Sequence, residues 1–249
     1  MNYVLKLYFK GKVNKDEVDR NNLLKQIPRN ESAHLCDIIN AGEIAELEGE
    51  KRYGLLMFYA GETLDKMIRE KGKLEPDIAK DYFFQMIDGL FTLYKYGLIH
   101  RDIRPLNTFV QNGHLTIGDF GNTIDQEAFE LKDNRRYGAP NGYDGETADL
   151  FSAGLIYYEM LTGEHMIAAR DLLDHNMDSR SYANLIEKLK KGFYDEQGDI
   201  SEKYQDKIDA LDAEPREIIY SCLKKDASID HLTRKYEEYQ MSQLTGKEI

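Results

Sequence analysis

Cysteine is nearly missing: only Cys36 and Cys222 occur in 249 residues. Two isolated cysteines among apolar neighbours make neither a disulfide framework nor a zinc pattern, so both are expected to be reduced and buried. Long apolar runs are missing too. No stretch reaches the length of a membrane span, and the first residues open a strand-like run instead of a cleaved signal peptide. The reading is a cytoplasmic protein with no membrane partner, secretion without a cleaved signal being left open. Bases are in deficit, 33 Lys and Arg against 45 Asp and Glu, for a net charge of −12. That balance argues against nucleic acid or an anionic membrane as partner and serves mainly solubility. Internal repeats and low-complexity linkers are also lacking. What is present is ample material for a core: 41% hydrophobic residues, with 17 Tyr and 10 Phe, enough for one large domain or two lobes.

The chemistry concentrates between His100 and Gly121, where His-Arg-Asp-Ile-Arg-Pro-Leu-Asn-Thr-Phe-Val is followed by a turn and then Leu-Thr-Ile-Gly-Asp-Phe-Gly. Asn112-Gly113 between two apolar runs is a hairpin signal. A hairpin brings its outer ends together. Asp102, Arg104 and Asn107 precede it and Asp119 follows it, so two carboxylates, an amide and a guanidinium are expected to converge. Two acids and an amide oxygen suit a hard cation such as magnesium, which shares its oxygen ligands with phosphates.

Along the rest of the chain, residues 3–9 read as a strand from their β-branched and aromatic content. Lys6 interrupts that run, either as an edge lysine facing solvent or as a functional cation. Residues 14–27 read as a helix, with Asn14 as N-cap, Glu17 as its capping-box partner and Pro28 at the end. Residues 34–43 and 53–59 read as strands around an acidic turn at 46–50, and 64–71 as a short helix stopped by Gly72. From 76 to 96, Ile78, Tyr82, Met86, Leu90 and Leu93 keep one apolar face. Residues 147–161 are apolar almost all round, the mark of a buried helix. Helices at 182–191 and 215–223 follow, and beyond His231 the charged chain is expected to fray.

His100-Arg101-Asp102 with Asn107, followed by Asp119-Phe120-Gly121, resembles the catalytic loop and metal motif of the protein kinase superfamily. Ala139-Pro140-Asn141 resembles the Ala-Pro-Glu that closes the activation segment, and Asp149-Leu150-Phe151-Ser152-Ala153-Gly154 the start of the family's central helix. The resemblance covers nearly the whole chain. It implies an α+β, two-lobed fold, with a truncated β-rich N-lobe at residues 1–60 and a helical C-lobe at 61–249. It also implies ATP and Mg2+. Asp102 would orient the attacking hydroxyl, Asn107 and Asp119 would hold magnesium, and Arg104 would stand where the family keeps a lysine near the γ-phosphate. Lys6 would hold the α- and β-phosphates, Met57 would face the adenine, Phe58-Tyr59-Ala60 would form the hinge, and Phe109 would pack beneath the base. Asp149 would brace the catalytic loop. In the family the lysine pairs with a helical glutamate; the register of Leu23, Leu24 and Ile27 puts Arg20 in that slot, with Asp19 the nearest acid, and leaves Glu17 to capping.

Departures from the family pattern are equally visible. No glycine-rich loop precedes Lys6, Asn141 replaces a glutamate whose usual arginine partner becomes Asp230, and Asn134 replaces a threonine. Arg101 is expected to pair with one of Asp125, Glu127, Glu130 or Asp133 in place of a loop phosphate, because the only nearby hydroxyls, Thr123 and Tyr137, are poorly placed to receive one. The expected function is transfer of the γ-phosphate of ATP to serine or threonine of a protein substrate, with a regulatory protein partner completing the nucleotide site. A pseudokinase scaffold and a kinase acting on a small molecule are the alternatives.

Overall fold

The front of the molecule is a sheet built from the aromatic and β-branched runs. In the computed structural model, which describes residues 2–8, 15–31, 33–47, 50–126, 137–140, 143–167, 190–195 and 199–245, β1 (Tyr3–Leu7), β2 (Ile38–Leu47) and β3 (Glu50–Phe58) form an antiparallel sheet of order β1-β3-β2. Lys6 stands opposite Leu55, and Val4 opposite Met57. Because side chains alternate across a strand, these four share one face. On β2 and β3 that face is the buried one, with Leu55, Ala41 and Ile38 in the core beneath α1 (Lys15–Leu24), while on β1 Val4 is 39% exposed. The opposite face carries Tyr3, Leu5 and Leu7, at 57%, 48% and 55% exposure.

Two expectations for this sheet need correction. Residues 34–37 are not strand; they run beside the site hairpin as a connector, and β2 starts only at Ile38. The strands β2 and β3 are longer than expected, since Glu46 pairs with Lys51 and Leu47 with Glu50. Charged residues on a two-stranded extension reach solvent from either face, so acidity did not mark a turn there.

Behind the sheet come β4 (Glu62–Thr63), α2 (Leu64–Lys71) and α3 (Pro76–Lys95), then β5 (Leu98–Ile99), β6 (Thr108–Gln111), β7 (His114–Ile117) and β8 (Ile124–Asp125). The helical layer continues with α4 (Gly145–Thr162), α5 (Glu202–Asp209), α6 (Ala213–Leu223) and α7 (Ile229–Thr245). The architecture is α+β, as the sequence implies. The two long helices α3 and α4 pack on each other and are buried nearly all round. Of the apolar face expected on α3, only Ile78 is exposed, at 41% in the first turn beside Pro76 and Asp77. The helix expected at 182–191 lies almost wholly outside the described residues. Beyond His231 the chain does not fray. Leu232, Tyr236 and Tyr239 fall at i, i+4 and i+7, and the two tyrosines stack on Phe84 of α3.

Helix α4 is started by a reciprocal cap, Asp144 accepting from the Thr147 N–H while Thr147 accepts from the Asp144 N–H. It then crosses α6 so closely that a Cβ on Gly154 would stand 2.7 Å from the Cys222 Cβ. Both cysteines are buried, as expected. A helical Gly→Ala change ordinarily gains about 1 kcal/mol. Here the obstacle is a Cβ, which no rotamer can move, so Gly154→Ala is expected to lose about 1–3 kcal/mol overall, read as a lower denaturant midpoint. A midpoint equal to or above wild type would show that the two helices separate freely.

Candidate functional site

The hairpin β6–β7 turns through Asn112 and Gly113, at φ 53° and 78°. Both are left-handed, the two-residue turn that Asn-Gly favours. Gln85 of α3 clamps it, its side-chain carbonyl accepting the Leu115 N–H (2.7 Å) and its amide donating to Gly113 O (3.2 Å). On the other side the 34–36 connector exchanges backbone hydrogen bonds with Ile117. The hairpin is therefore fixed to both α3 and the front sheet.

The loop before the hairpin is held from α4. Asp149, fully buried, accepts the His100 N–H at 2.8 Å, the Arg101 N–H at 2.9 Å and the Tyr94 hydroxyl at 3.4 Å. Burial pushes its carboxyl up to about 7, although the His100 and Arg101 N–H groups pull the other way. His100 bridges onward. Its Nδ1 accepts the Asp102 N–H (3.2 Å) while Nε2 meets Gly118 O (3.1 Å). One nitrogen accepts and the other must donate, so the ring is neutral, in keeping with a pKa lowered by burial.

Asp102 and Asn107 come together as expected. The Asn107 amide donates to both the backbone oxygen and Oδ2 of Asp102, each at 2.8 Å. Its N–H also reaches Arg104 O, and its carbonyl accepts the Gly118 N–H, which ties this loop to the start of the metal motif. Arg104 Nε lies 3.7 Å from Asp102 Oδ1 and is buried, with no hydrogen-bond acceptor among the described residues. A second amide, Asn122, donates to Asp102 Oδ2 at 3.3 Å.

Asp119 sits in the left-handed region, φ 59° and ψ 66°, so its side chain leaves the chain at a sharp turn. Its Oδ1 accepts from Lys6 Nζ at 2.9 Å, and the same ammonium lies 3.5 Å from Glu17 Oε1. Burial alone would push the Asp119 carboxyl up, but the Lys6 hydrogen bond and charge outweigh it and hold it below its ordinary value. Burial likewise opposes the Lys6 charge, and Asp119 followed by Glu17 outweighs that and raises it.

The partner of Lys6 is thus Glu17, not Asp19, and the slot assigned to Arg20 was wrong. The face of α1 that meets the core runs through Glu17, Asn21 and Leu24, with Asn21 fully buried and Leu23 37% exposed. A buried asparagine, its amide donating to Glu17 O at 2.7 Å, occupies a place where apolarity was sought. Counting Leu23 as core rotated the helix. Arg20 instead reaches Gly121 O at 3.5 Å. Asn14, the expected cap, lies outside the described residues.

The remaining candidates sit around this centre without touching it. Met57 is half-buried and two residues along from Leu55 on the Lys6 face. Phe109 is half-buried in β6, where a Cβ on Gly118 would lie 3.0 Å from its ring. Tyr59 is 38% exposed, donates its N–H to Asn2 O, and lines a cavity of about 350 Å³ with Phe58, Ala60 and Cys36. Asp125 is exposed in β8, while Glu127, Glu130, Asp133, Asn134 and Asn141 lie outside the described residues. Thr123 and Tyr137 are both buried, Tyr137 donating to Glu159 at 2.5 Å. Among the described residues no cluster of three His, Cys, Asp or Glu side chains forms a metal cage, and no helix is long and apolar enough to cross a membrane. A cation here would take two protein oxygens and the rest from its other ligands.

Residues 2–231 match the family model described as protein kinase domain. The chain is 32% identical over 175 residues to CBL-interacting serine/threonine-protein kinase 24 of Arabidopsis thaliana, covering 64% of this chain and 39% of that one. To CBL-interacting protein kinase 24 of Oryza sativa subsp. japonica it is 32% identical over 168 residues, 61% of this chain and 36% of that one. The chain spans well under half the length of these relatives.

Replacing Lys6 by Met tests the ion network. Asp119 stabilises the fold above its ordinary value of 3.8, and this is lost as pH falls through its lowered folded value. Lys6 contributes below its ordinary 10.5, and this is lost as pH rises through its raised value. The stability gap between wild type and Lys6→Met is therefore expected to be widest from about pH 5 to 9 and to close at both extremes. Asp119 is also expected to titrate higher in the variant, read by carboxyl-carbon NMR. A gap independent of pH would mean that Lys6 acts through packing alone.

Proposed function

The chain belongs to the protein kinase family, and on that premise we propose that it transfers the γ-phosphate of ATP, held with Mg2+, to a serine or threonine of a protein substrate. The observation that carries this is the division of labour at Asp102. The Asn107 amide nitrogen engages Oδ2, so Oδ1 is left on the side of Arg104. In this reading Oδ1 of Asp102 orients the acceptor hydroxyl and takes its proton. The buried Arg104 Nε–H, with no acceptor among the described residues, is a donor suited to an incoming phosphate oxygen. Lys6 would turn from Asp119 toward the α- and β-phosphates while Glu17 keeps it in place.

The donor set fits magnesium: an Asp119 carboxylate held ionised by Lys6 and the side-chain carbonyl of Asn107, whose nitrogen is committed to Asp102. Magnesium, when bound, supplies charge neutralisation across the phosphates. In the same reading Met57 and Phe109 enclose the base, residues 58–60 present main-chain groups to it, and residues 1–60 and 61–249 are the two lobes of a single cytoplasmic domain.

A protein partner is part of the proposal. Among the described residues strand β1 is at the edge of its sheet, and the exposed face at Tyr3, Leu5 and Leu7 offers apolar surface beside it. Extended segments add to such edges, and one added here would cover the phosphate side of Lys6. The same open edge favours the second reading, a scaffold that binds nucleotide with little turnover.

Labelled ATP, Mg2+ and a generic acceptor such as casein separate the two readings. Transfer is expected for wild type, with Asp102→Ala at least a hundredfold slower. Transfer unchanged in Asp102→Ala, or none in wild type, would overturn the catalytic reading. Asp119→Ala is expected to keep the fold and lose metal-dependent ATP binding by calorimetry; wild-type-like binding would remove Asp119 from the metal set. In a thermal-shift series the isolated chain should show weak, strongly Mg2+-dependent stabilisation by ATP. Micromolar affinity would show that the phosphates are already covered.

A further inference from the structure

Asp119 is followed at once by a three-residue 3-10 turn, Phe120–Asn122. The turn is wedged between two elements. From the α1 side, Arg20 donates to Gly121 O, and Glu17 approaches so closely that a Cβ on Gly121 would stand 3.2 Å from its Oε1. From the catalytic-loop side, buried Phe120 sets its ring edge-to-face against His100 at 5.5 Å. The last residue of the turn, Asn122, reaches across to Asp102.

Two amides therefore converge on a single carboxylate oxygen, Asn107 at 2.8 Å and Asn122 at 3.3 Å. A carboxylate torsion is broad and nearly two-fold, so one donor leaves the two oxygens free to exchange places. Two donors from different directions select one orientation and leave Oδ1 on the side of Arg104. One donor belongs to the catalytic loop itself. The other belongs to the metal motif's turn, which α1 grips.

We propose that Asn122 is a positioning residue: its amide fixes the Asp102 carboxylate and makes that orientation depend on the placement of the turn between α1 and the catalytic loop. This rests on the kinase reading for its meaning in turnover, whereas the contact itself can be tested without any turnover. Displacing α1 would draw on Arg20 and Glu17, shift the turn, and withdraw the Asn122 amide from Asp102.

The experiment has two arms on the full chain. In the first, the Asn122 side-chain amide signal is identified by its loss in Asn122→Ala and followed in Asp102→Ala and Arg20→Ala. It is expected to move in both; a signal unmoved in Asp102→Ala overturns the contact, and one unmoved in Arg20→Ala overturns the link to α1. In the second, Asn122→Ala is expected to lower kcat about tenfold, the weaker end of a hydrogen bond to a charged group, with KM for ATP within twofold. Asn122→Asp keeps the shape but loses the donor, and is expected to be at least as slow as Asn122→Ala. A wild-type rate in Asn122→Asp would mean that shape alone matters and would overturn the proposal. Absence of transfer in wild type would sink the catalytic reading, while the amide arm still decides the role assigned to Asn122.

Discussion

The buried carboxylate of Asp149 is the constraint on which the site depends. It comes from α4, the helix most completely enclosed by the core, and reaches the backbone of the loop that carries Asp102. Arg101 in that loop has φ 66°, a conformation that costs a side-chain-bearing residue about 1–2 kcal/mol. Two N–H bonds to an acidic group, each worth about 1.5–3 kcal/mol, offset that cost. An amide in place of Asp149 would present one acceptor oxygen to two backbone donors and a tyrosine hydroxyl; a carboxylate presents two. Burial strains the arrangement from the other side and raises the carboxyl to about 7, so the N–H groups serve the acid as much as the acid serves the loop.

From Asp149 the order propagates through neutral groups. His100, with one ring nitrogen accepting from the Asp102 N–H and the other facing Gly118 O, joins the catalytic loop to the residue before Asp119. Asn107 repeats the connection through its own carbonyl. The charged groups, Lys6, Glu17 and Asp119, lie at the end of this chain of contacts, where phosphates would be met.

Much of this was legible beforehand because it depends on local chemistry. Asn-Gly fixed the hairpin, Gly72 the end of α2 at φ 79°, and the spacing of Asp102, Arg104 and Asn107 their meeting in one loop. The failures share another cause. Glu17 was read as a cap because apolar periodicity located the face of α1, and the buried position on that face is Asn21. The 34–37 connector reads as strand through Leu35 and Cys36, yet His34 and Cys36 exchange their backbone hydrogen bonds with Ile117 of the hairpin, and only Asp37 O, accepting from the Phe58 N–H, joins the sheet. Helix α7 was expected to fray from its charge, whereas three residues at helical spacing dock it on α3. In each case a tertiary partner overrode a local signal. Asn122 gave no signal at all, since nothing in a single asparagine says which carboxylate it faces.

The division between scaffold and site has a physical consequence. The Lys6, Glu17 and Asp119 network is partly open to solvent, with 42% of the Lys6 side chain and 44% of that of Asp119 exposed. Ion pairs in that setting contribute about 0–1 kcal/mol after screening. The interlocked helices bury Leu90, Leu93, Phe151 and Leu155 completely, and each such side chain is worth about 1.5–3 kcal/mol. The fold therefore rests on α3 and α4 and not on the charges it displays. Such a site can lose a cation or a carboxylate and remain standing, and so its side chains are free to exchange partners, as the proposed phosphate binding requires. Asp149 has no such freedom: it belongs to the scaffold by burial and to the site by its hydrogen bonds, and it is the residue at which the two cannot be separated.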